Sequence, residues 1–314
     1  MDRPVPDVSV ILITYQSAQH IGRCLAALPA AARRGARDSV SYEVIVVDNA
    51  SADGGVDALK PLGAVHVLVE LERNVGFAAG VNVGLGLARG EYVLLVNPDA
   101  VVHPGSIAAA VDFARAHPQR GLYGALTYDS DDDAHPHPGG WRLPSMWSVA
   151  CFAAGLTAAF PGNRLFDPES LGPWQVGDTR AVGALSGFFL LIRRQLIMQI
   201  GGFDEHFFMY SEDIDLAARA QAAGASPVIV PGAAVTHIGG ASSTPVDKTV
   251  MVLRGRVAYI RKHWPPRRAV IAERLLVAGV SIRALGTHFT ARGERWRAVW
   301  VQRERWRSGW QGPR

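Results

Sequence analysis

Only two cysteines occur in the 314 residues, Cys24 and Cys151. Both lie among apolar neighbours with no CxxC or Cys/His spacing, so they read as small core residues in a reducing, cytoplasmic compartment. Long apolar runs are missing as well. No window reaches ~18 uncharged apolar residues, which leaves no candidate for a spanning helix. The first apolar run, residues 8–13, is too short and too β-branched for a secretory signal. The first strand is followed by Thr14-Tyr15-Gln16-Ser17, with no GxGxxG and no GxxxxGKS, which sets aside dinucleotide and P-loop chemistry. Acids are scarce in one region. Residues 245–314 hold 16 of the 32 Lys and Arg but only four acids, Asp247, Glu273, Glu294 and Glu304. That tail is therefore +12 and the first 244 residues −8, an asymmetry hidden in the overall +4. Such a block points to an anionic partner: nucleic acid, an acidic membrane surface or an acidic neighbouring domain.

What is present is ample apolar material, 48% of residues, over a length that suits one large or two small domains. Residues 8–15 read as a buried strand and residues 16–28 as a helix with Ile21, Leu25 and Leu28 on one face. Residues 42–47 form a second buried strand ending in Asp48-Asn-Ala-Ser-Ala-Asp-Gly-Gly, a run dense in turn and cap residues. Residues 64–71 read as a third strand. Asn74-Val-Gly-Phe-Ala-Ala-Gly-Val-Asn82 leads into a small-residue helix up to Ala88. The apolar run Tyr92–Val96 then ends abruptly in Asn97-Pro98-Asp99, where proline stops the ladder and leaves one carboxylate at a strand end. Strands alternating with helices imply a mostly parallel sheet with right-handed crossovers. In such a sheet the ends at Tyr15, Asp48 and Asp99 share one edge, the edge at which open α/β sheets bind ligands.

The second half is less regular. Residues 127–145 are rich in Asp, His, Pro and Gly and read as a mobile surface loop. Their acids at 129–133 and histidines admit a metal-tract reading that alternating prolines disfavour. Residues 144–161 carry no charge, and read as a core helix in preference to a lipid-contact helix. Residues 184–192 read as one further strand. Ser211 is an N-cap candidate, followed by Glu212, Asp213 and Asp215 crowded into one helical turn, with Arg219 placed to pair with Asp215. The helix dipole accommodates one or two of these acids; three in four residues call for a cation or a proton-transfer role. A lone His237 follows the last strand.

Taken together, Asp48-Asn-Ala-Ser-Ala-Asp-Gly54, Asn74-Val-Gly-Phe-Ala-Ala-Gly80, Asn97-Pro-Asp99, Ser211-Glu-Asp213 and His237 resemble, in order and spacing, the motifs of family 2 glycosyltransferases. More narrowly, they resemble the rhamnosyltransferase-like branch that builds bacterial surface polysaccharides. The resemblance spans roughly residues 6–265. It implies an α/β GT-A fold with a mostly parallel central sheet and flanking helices, plus a basic helical C-terminal extension. The expected division is a catalytic domain over 1–244, its nucleotide-sugar half about 1–125 and its acceptor half about 126–244, followed by 245–314.

The resemblance also implies roles. Asp48 would accept the imide N–H of uracil or thymine, and Thr14 and Tyr15 would flank base and ribose. Asn49, Asn74, Gly76, Phe77, Asn82 and Asn97 would line the nucleotide-sugar pocket, with Gly76 allowing close backbone approach. Asp99 and His237 would hold Mg2+ or Mn2+ against the diphosphate. The family's pattern is often Asp-x-Asp; here the first position is the neutral Asn97, which suits a loosely held hydrated ion. Asp213 would be the general base, with Glu212 orienting it or binding acceptor hydroxyls. The implied partners are a dTDP- or UDP-sugar donor and a glycan or lipid-linked acceptor, with a deoxysugar such as rhamnose favoured. The implied location is the inner face of a bacterial plasma membrane, and a homo-oligomer stays open. Two other readings compete. A sugar-nucleotidyltransferase would show an Arg- and Lys-bearing Gly-rich loop after the first strand, and Thr14 to His20 has none. A non-catalytic anion- or membrane-binding module would use the tail, where Trp296, Trp300, Trp306 and Trp310 stand among arginines. Stacking on nucleic-acid bases, which surface-glycan assembly does not call for, lying at a membrane interface, and packing on the catalytic domain are the three expectations for those rings.

Overall fold

The first strand is buried along its whole length, because it lies inside a sheet covered on both faces. The structure is a computed structural model and describes residues 4–55, 59, 63–130, 136–172, 174, 177, 179–237, 244–286 and 291–311. In chain order its elements are β1 (Val8–Thr14), α1 (Ala18–Ala31), β2 (Tyr42–Asp48), β3 (Val67–Glu70), α2 (Phe77–Leu87), β4 (Tyr92–Val96), β5 (Ala100–Val102) and α3 (Ser106–Ala116). There follow β6 (Leu122–Tyr128), β7 (His137–Pro138), β8 (Gly140–Trp141), α4 (Met146–Ala153), α5 (Leu156–Ala159), β9 (Ala184–Leu185), β10 (Phe189–Arg193) and α6 (Arg194–Gln199). The chain ends in α7 (Glu212–Ala222), β11 (Val228–His237), α8 (Pro245–His263), α9 (Pro266–Gly286), α10 (Ala291–Val301) and α11 (Arg303–Arg307).

The main sheet runs β3-β2-β1-β4-β10-β6-β11-β5, with β7 beside β6. The period-two geometry of β1 splits its side chains between two cores. Val8, Val10 and Leu12 pack with Ile21 and Leu28 of α1 and Ile107 of α3. Ile11 and Ile13 face the other layer with Val81 of α2 and Leu216 of α7. Strands β3, β2, β1 and β4 are parallel, as the alternating pattern requires. Thr14 stands opposite Asp48, and Ile11 opposite Leu95, so the three strand ends do share one edge.

Beyond β4 the sheet becomes mixed. The expected single strand at 184–192 is broken in two. Ala184–Leu185 pairs with Gly140–Trp141 in a small separate sheet, and Phe189–Arg193 inserts antiparallel between β4 and β6. The break falls at Ser186, which donates its backbone N–H to the Gly139 carbonyl, and at Gly187, packed against the Phe77 ring. The stretch read as a surface loop contributes β7 and β8, and residues 131–135 of its Asp/His tract lie outside the described residues. The charge-free stretch forms α4 and α5; Val149 and Cys151 of α4 are buried as a core helix requires, but Trp147 and Phe160 are exposed and α5 buries no residue, so only part of the stretch belongs to the core.

The tail shares the second core. Val250, Leu253, Val257 and Ile260 of α8, Leu276 and Val280 of α9, Val299 and Trp306 join the cluster that holds Ile11 and Ile13. Its tryptophans are therefore not a solvent-facing row. Trp306 is fully buried and donates to the Val299 carbonyl, while Trp296, Trp300 and Trp310 pack partly buried against the core. An indole buried with its N–H satisfied is a packing element, and it is closed to bases and lipid headgroups alike.

Candidate active site

The parallel strands deliver the first site residues. At the end of β2, Asp48 is buried, and its Oδ2 accepts the Ser51 N–H at 2.9 Å. Its Oδ1 is buried with no hydrogen-bond partner among the described residues. A buried orphan acceptor costs free energy unless a ligand donor completes it. The turn-rich run behind it is held by Asp53, whose Oδ2 accepts the Ala18 N–H at 2.7 Å and so closes the start of α1. Thr14 is buried and Tyr15 is exposed on the same edge. Asn49 is buried and clamps the next loop: its amide donates to the Gly76 carbonyl at 3.0 Å and its oxygen accepts from Val75 N–H at 3.2 Å. Asn74 closes an Asx turn onto the Gly76 N–H at 2.9 Å.

A cleft on this edge is lined by Tyr15, Asn49, Asn74, Phe77, Asn97 and Asp99, joined by Gln16, Ser17, His20 and Met209. Thr14, Asp48, Gly76, Glu212, Asp213 and His237 are not among its lining residues, and neither is Asn82. The Asn82 carboxamide bonds the Phe203 main chain at both ends, at 2.9 Å each, and Glu205, so it ties α2 to the loop before α7. Gly76 has φ 89°, and a Cβ there would run into the Phe208 carbonyl and ring. Its close approach is thus to Phe208, and the Phe77 N–H seals the contact by donating to the Phe208 carbonyl at 2.7 Å.

Asp99 and His237 meet because of strand register. After Asn97-Pro98-Asp99 the chain re-enters the sheet as β5, antiparallel to β11, with Ala100 opposite His237. The Asp99 Oδ1 to His237 Nε2 distance is 3.3 Å, with each side chain about one-fifth exposed. Asn97 Nδ2 stands 3.5 Å from the same Nε2, and the imidazole stacks on Phe188 at 4.7 Å. Two donors on adjacent corners of an ion with ~2.1 Å bonds stand roughly 3.0 Å apart, so this carboxylate–imidazole pair fits one small divalent ion. No group of three or more His, Cys, Asp or Glu side chains gathers for a metal among the described residues. The pair suits an ion that takes its other ligands from water and phosphate.

The acidic turn is built differently. Tyr210 and Ser211 both have left-handed backbones, φ 65° and 72°, a strained pair that only surrounding contacts can hold. Ser211 occupies the N-cap position, yet in this geometry its hydroxyl makes no cap bond. The contacts come from the tail. Gly255 of α8 leaves room only for the Tyr210 carbonyl and Ser211 hydroxyl, and Trp310 donates its indole N–H to the Met209 carbonyl at 3.1 Å. Arg254 caps the Trp310 ring at 4.3 Å.

The three acids then separate. Asp215 is fully buried; burial alone would raise its pKa, but hydrogen bonds from His263 (2.7 Å) and Lys262 (2.6 Å) and the Arg219 charge (2.8 Å) hold it at about 2. The cations anticipated for the acidic turn are therefore protein side chains, two of them from the tail. Glu212 is buried with Oε2 unpartnered among the described residues, and burial, reinforced by the charge of Asp213, drives its pKa well above the usual carboxylate range. Asp213 is half-buried, accepts the Ile214 N–H at 2.8 Å, and burial pushes it up to about 6. A carboxyl near 6 with an accessible face has the properties of a general base at neutral pH. Phe188, Lys262 and His263 escape a sequence reading, being far from the motifs they serve; Met209 borders the acidic motif without a polar group to mark it, and Trp310 reads only as part of the aromatic tail. The one signal for Lys262 and His263 is the unpaired negative charge of the turn, matched by Arg261-Lys262-His263 at the end of α8.

Fold and site together define a class, a glycosyltransferase of the GT-A fold. The profile of glycosyl transferase family 2 matches residues 9–172, and the chain belongs to that family. It is 35% identical over 242 residues to N-acetylglucosaminyl-diphospho-decaprenol L-rhamnosyltransferase of Mycobacterium tuberculosis, covering 73% of this chain and 75% of that protein. It is 23% identical over 248 residues to rhamnosyltransferase WbbL of Escherichia coli, covering 73% and 83%. In fold it is similar to a mannosyltransferase from Pyrobaculum calidifontis in complex with GDP-Man and Mn2+, with a TM-score of 0.58 at 18% identity, over 96% of this chain and 85% of that one. No helix among the described residues is long and apolar enough to cross a membrane.

Proposed function

We propose that this enzyme moves a deoxysugar, rhamnose first among them, from a dTDP- or UDP-sugar to a hydroxyl of a lipid-linked or polysaccharide acceptor, with inversion, at the inner face of the plasma membrane. The observation that carries the donor reading is the unpartnered Asp48 Oδ1 on the strand edge that also holds Asp99 beside His237. Uracil and thymine both offer an imide N–H that completes such an acceptor. The rhamnosyl and lipid-linked parts rest on the relative whose printed name carries both.

In this reading Thr14, Tyr15, Asn74 and Phe77 shape the base and ribose pocket, and Asn49 fixes the loop that carries two of them. Asp99 and His237 would hold Mg2+ or Mn2+, the imidazole through the Nε2 that faces Asp99, which the ion would take over from its present contact with the Asn97 amide; when bound, the ion supplies Lewis-acid stabilisation of the diphosphate leaving group. Asp213 takes the proton from the acceptor hydroxyl as that oxygen bonds to the anomeric carbon. The bond from that carbon to the diphosphate breaks on the opposite side, with positive charge developing on the sugar ring. Glu212, whose pKa burial and the Asp213 charge drive upward, orients Asp213 or binds an acceptor hydroxyl. The test is a thermal-shift panel of nucleotide-sugars with and without Mn2+, since a ligand of the native state raises apparent stability. The expected result is a Mn2+-dependent shift with dTDP- and UDP-sugars and a smaller one with GDP-sugars. A preference for GDP-sugars, whose guanine N1–H can also donate to a carboxylate, would overturn the uracil or thymine reading of the donor.

A further inference from the structure

A helix that is apolar all round is normally covered all round. Helix α9 is covered on one face only. Ala269, Ala272, Leu276 and Val280 are buried against the core, while Val270, Ile271, Ile282 and Leu285 are 48%, 52%, 58% and 69% exposed. The exposed series 267, 271, 274, 278, 282, 285 follows the three-four spacing of one continuous helical stripe. A cavity of about 380 Å³ extends the stripe inward between α9 and α11, floored by Val257, Val277 and Trp306. Arg267, Arg268 and Arg274 lie along the same surface, all exposed, and none of them makes an ion pair among the described residues.

We infer that this face of α9 docks the enzyme on an anionic lipid surface, the apolar stripe entering the headgroup–acyl boundary and the arginines meeting lipid phosphates. Apolar side chains beside unpaired arginines are the chemistry of an interfacial helix that lies on a bilayer without crossing it. A second copy of the chain suits the face less well. In a two-fold pairing of α9 with itself, the two Arg274 side chains, within one turn of the helix midpoint, would be brought together, and the neighbouring acid, Glu273, is already held by Arg261. The covalent path favours a site-facing role as well: Arg267 is four residues from His263, which bonds Asp215, so the basic end lies within roughly 14 Å of chain reach from the acidic turn. Trp306 is packed inside and Trp296, Trp300 and Trp310 are partly buried against the core, so α9 takes the part that they leave.

The test is co-sedimentation of the full-length protein with vesicles of phosphatidylcholine alone or with added phosphatidylglycerol. The expected result is binding that requires phosphatidylglycerol and weakens with salt. Ile271→Asp with Ile282→Asp, and separately Arg267→Glu with Arg268→Glu and Arg274→Glu, should each lower the partition coefficient at least about tenfold. Both sets are exposed, and an unchanged melting temperature and an unchanged shift with UDP and Mn2+ confirm that fold and donor site are intact. Equal binding by the variants overturns the assignment. So does a dimer, seen by sedimentation equilibrium, that the aspartate pair dissociates, since it would give the face to a second copy. Vesicle binding reads this surface independently of donor sugar and turnover, so its failure leaves the transferase reading in place.

Discussion

The proposed donor edge and the acidic turn are made in opposite ways. At the donor edge, position comes from the backbone ladder. Thr14 pairs with Asp48 and Ala100 with His237 in strand register, so the functional side chains arrive wherever their strands end. At the acidic turn, position comes from remote side chains. Tyr210 and Ser211 are held in left-handed conformations by packing from Gly255, and Met209 is anchored by Trp310, 101 residues away in sequence. The two ends are joined by the Phe77 N–H to Phe208 carbonyl bond and by Gly76 packed against Phe208. The comparison teaches that nucleotide binding should tolerate damage to the tail, while proton transfer should not.

The largest effect that sharpens this contrast is at Asp213. Asp213→Asn keeps the oxygen that accepts the Ile214 N–H but cannot take a proton, so kcat should fall by ~10²–10⁴ while donor affinity stays within a few-fold. Near-normal turnover would remove Asp213 from the base role and leave Glu212 as the candidate.

Next is the buried cluster at Asp215. Its folded pKa, about 2, lies below the ordinary 3.8. Its contribution is therefore fully present above about pH 4 and is lost as pH falls through 2, and it amounts to about 2 kcal/mol. Urea unfolding at neutral pH should show Asp215→Asn destabilised by at least that amount, with wild type and variant converging as pH drops toward 2. Parallel curves at all pH values would mean that His263 and Lys262 do not bind the carboxylate in solution.

How much of this could be read in the chain follows the same division. Asp48, Asn97 and Asp99 were legible because an apolar run closed by a polar turn announces a strand end, and parallel pairing then places every such end on one edge. The mixed outer half was not legible, since a nine-residue, mostly apolar stretch at 184–192 carries no mark of the switch between sheets except Ser186-Gly187. Asn82 fits its motif and yet bonds the Phe203 backbone, because a carboxamide on a small-residue helix serves packing as readily as ligands. The tail was hardest. Tryptophan among arginines has the composition of a wet or membrane-facing surface, and only tertiary packing shows the rings turned inward with the guanidiniums covering them. Ser211 misled for a related reason: its residue type suits a cap, but the left-handed backbone imposed by α8 turns the hydroxyl away.

Smaller effects separate the two ends further. With Asp213 pushed up to about 6 by burial, it is protonated and inactive below that value, so kcat/KM should fall about tenfold per pH unit below 6 and level off above it. A profile flat down to pH 4 would place the base elsewhere. Trp310→Ala removes the anchor on Met209 and should lower kcat by a few-fold to about tenfold, with the dissociation constant for UDP unchanged. Trp310→Phe keeps the ring beside Phe208 and Arg254 but loses the N–H, and should fall between the two. A change confined to UDP affinity would move Trp310 to the donor end.

The most direct measurement is calorimetric titration of UDP and dTDP, each with Mn2+, into wild type and the variants Asp48→Ala, Asp99→Ala and Asp213→Asn. The expected pattern is a loss of at least about tenfold in nucleotide affinity for the first two and wild-type affinity for the third. Unchanged binding by Asp48→Ala and Asp99→Ala, or a loss at Asp213→Asn as deep as theirs, would contradict the division of the site into a donor edge and a base.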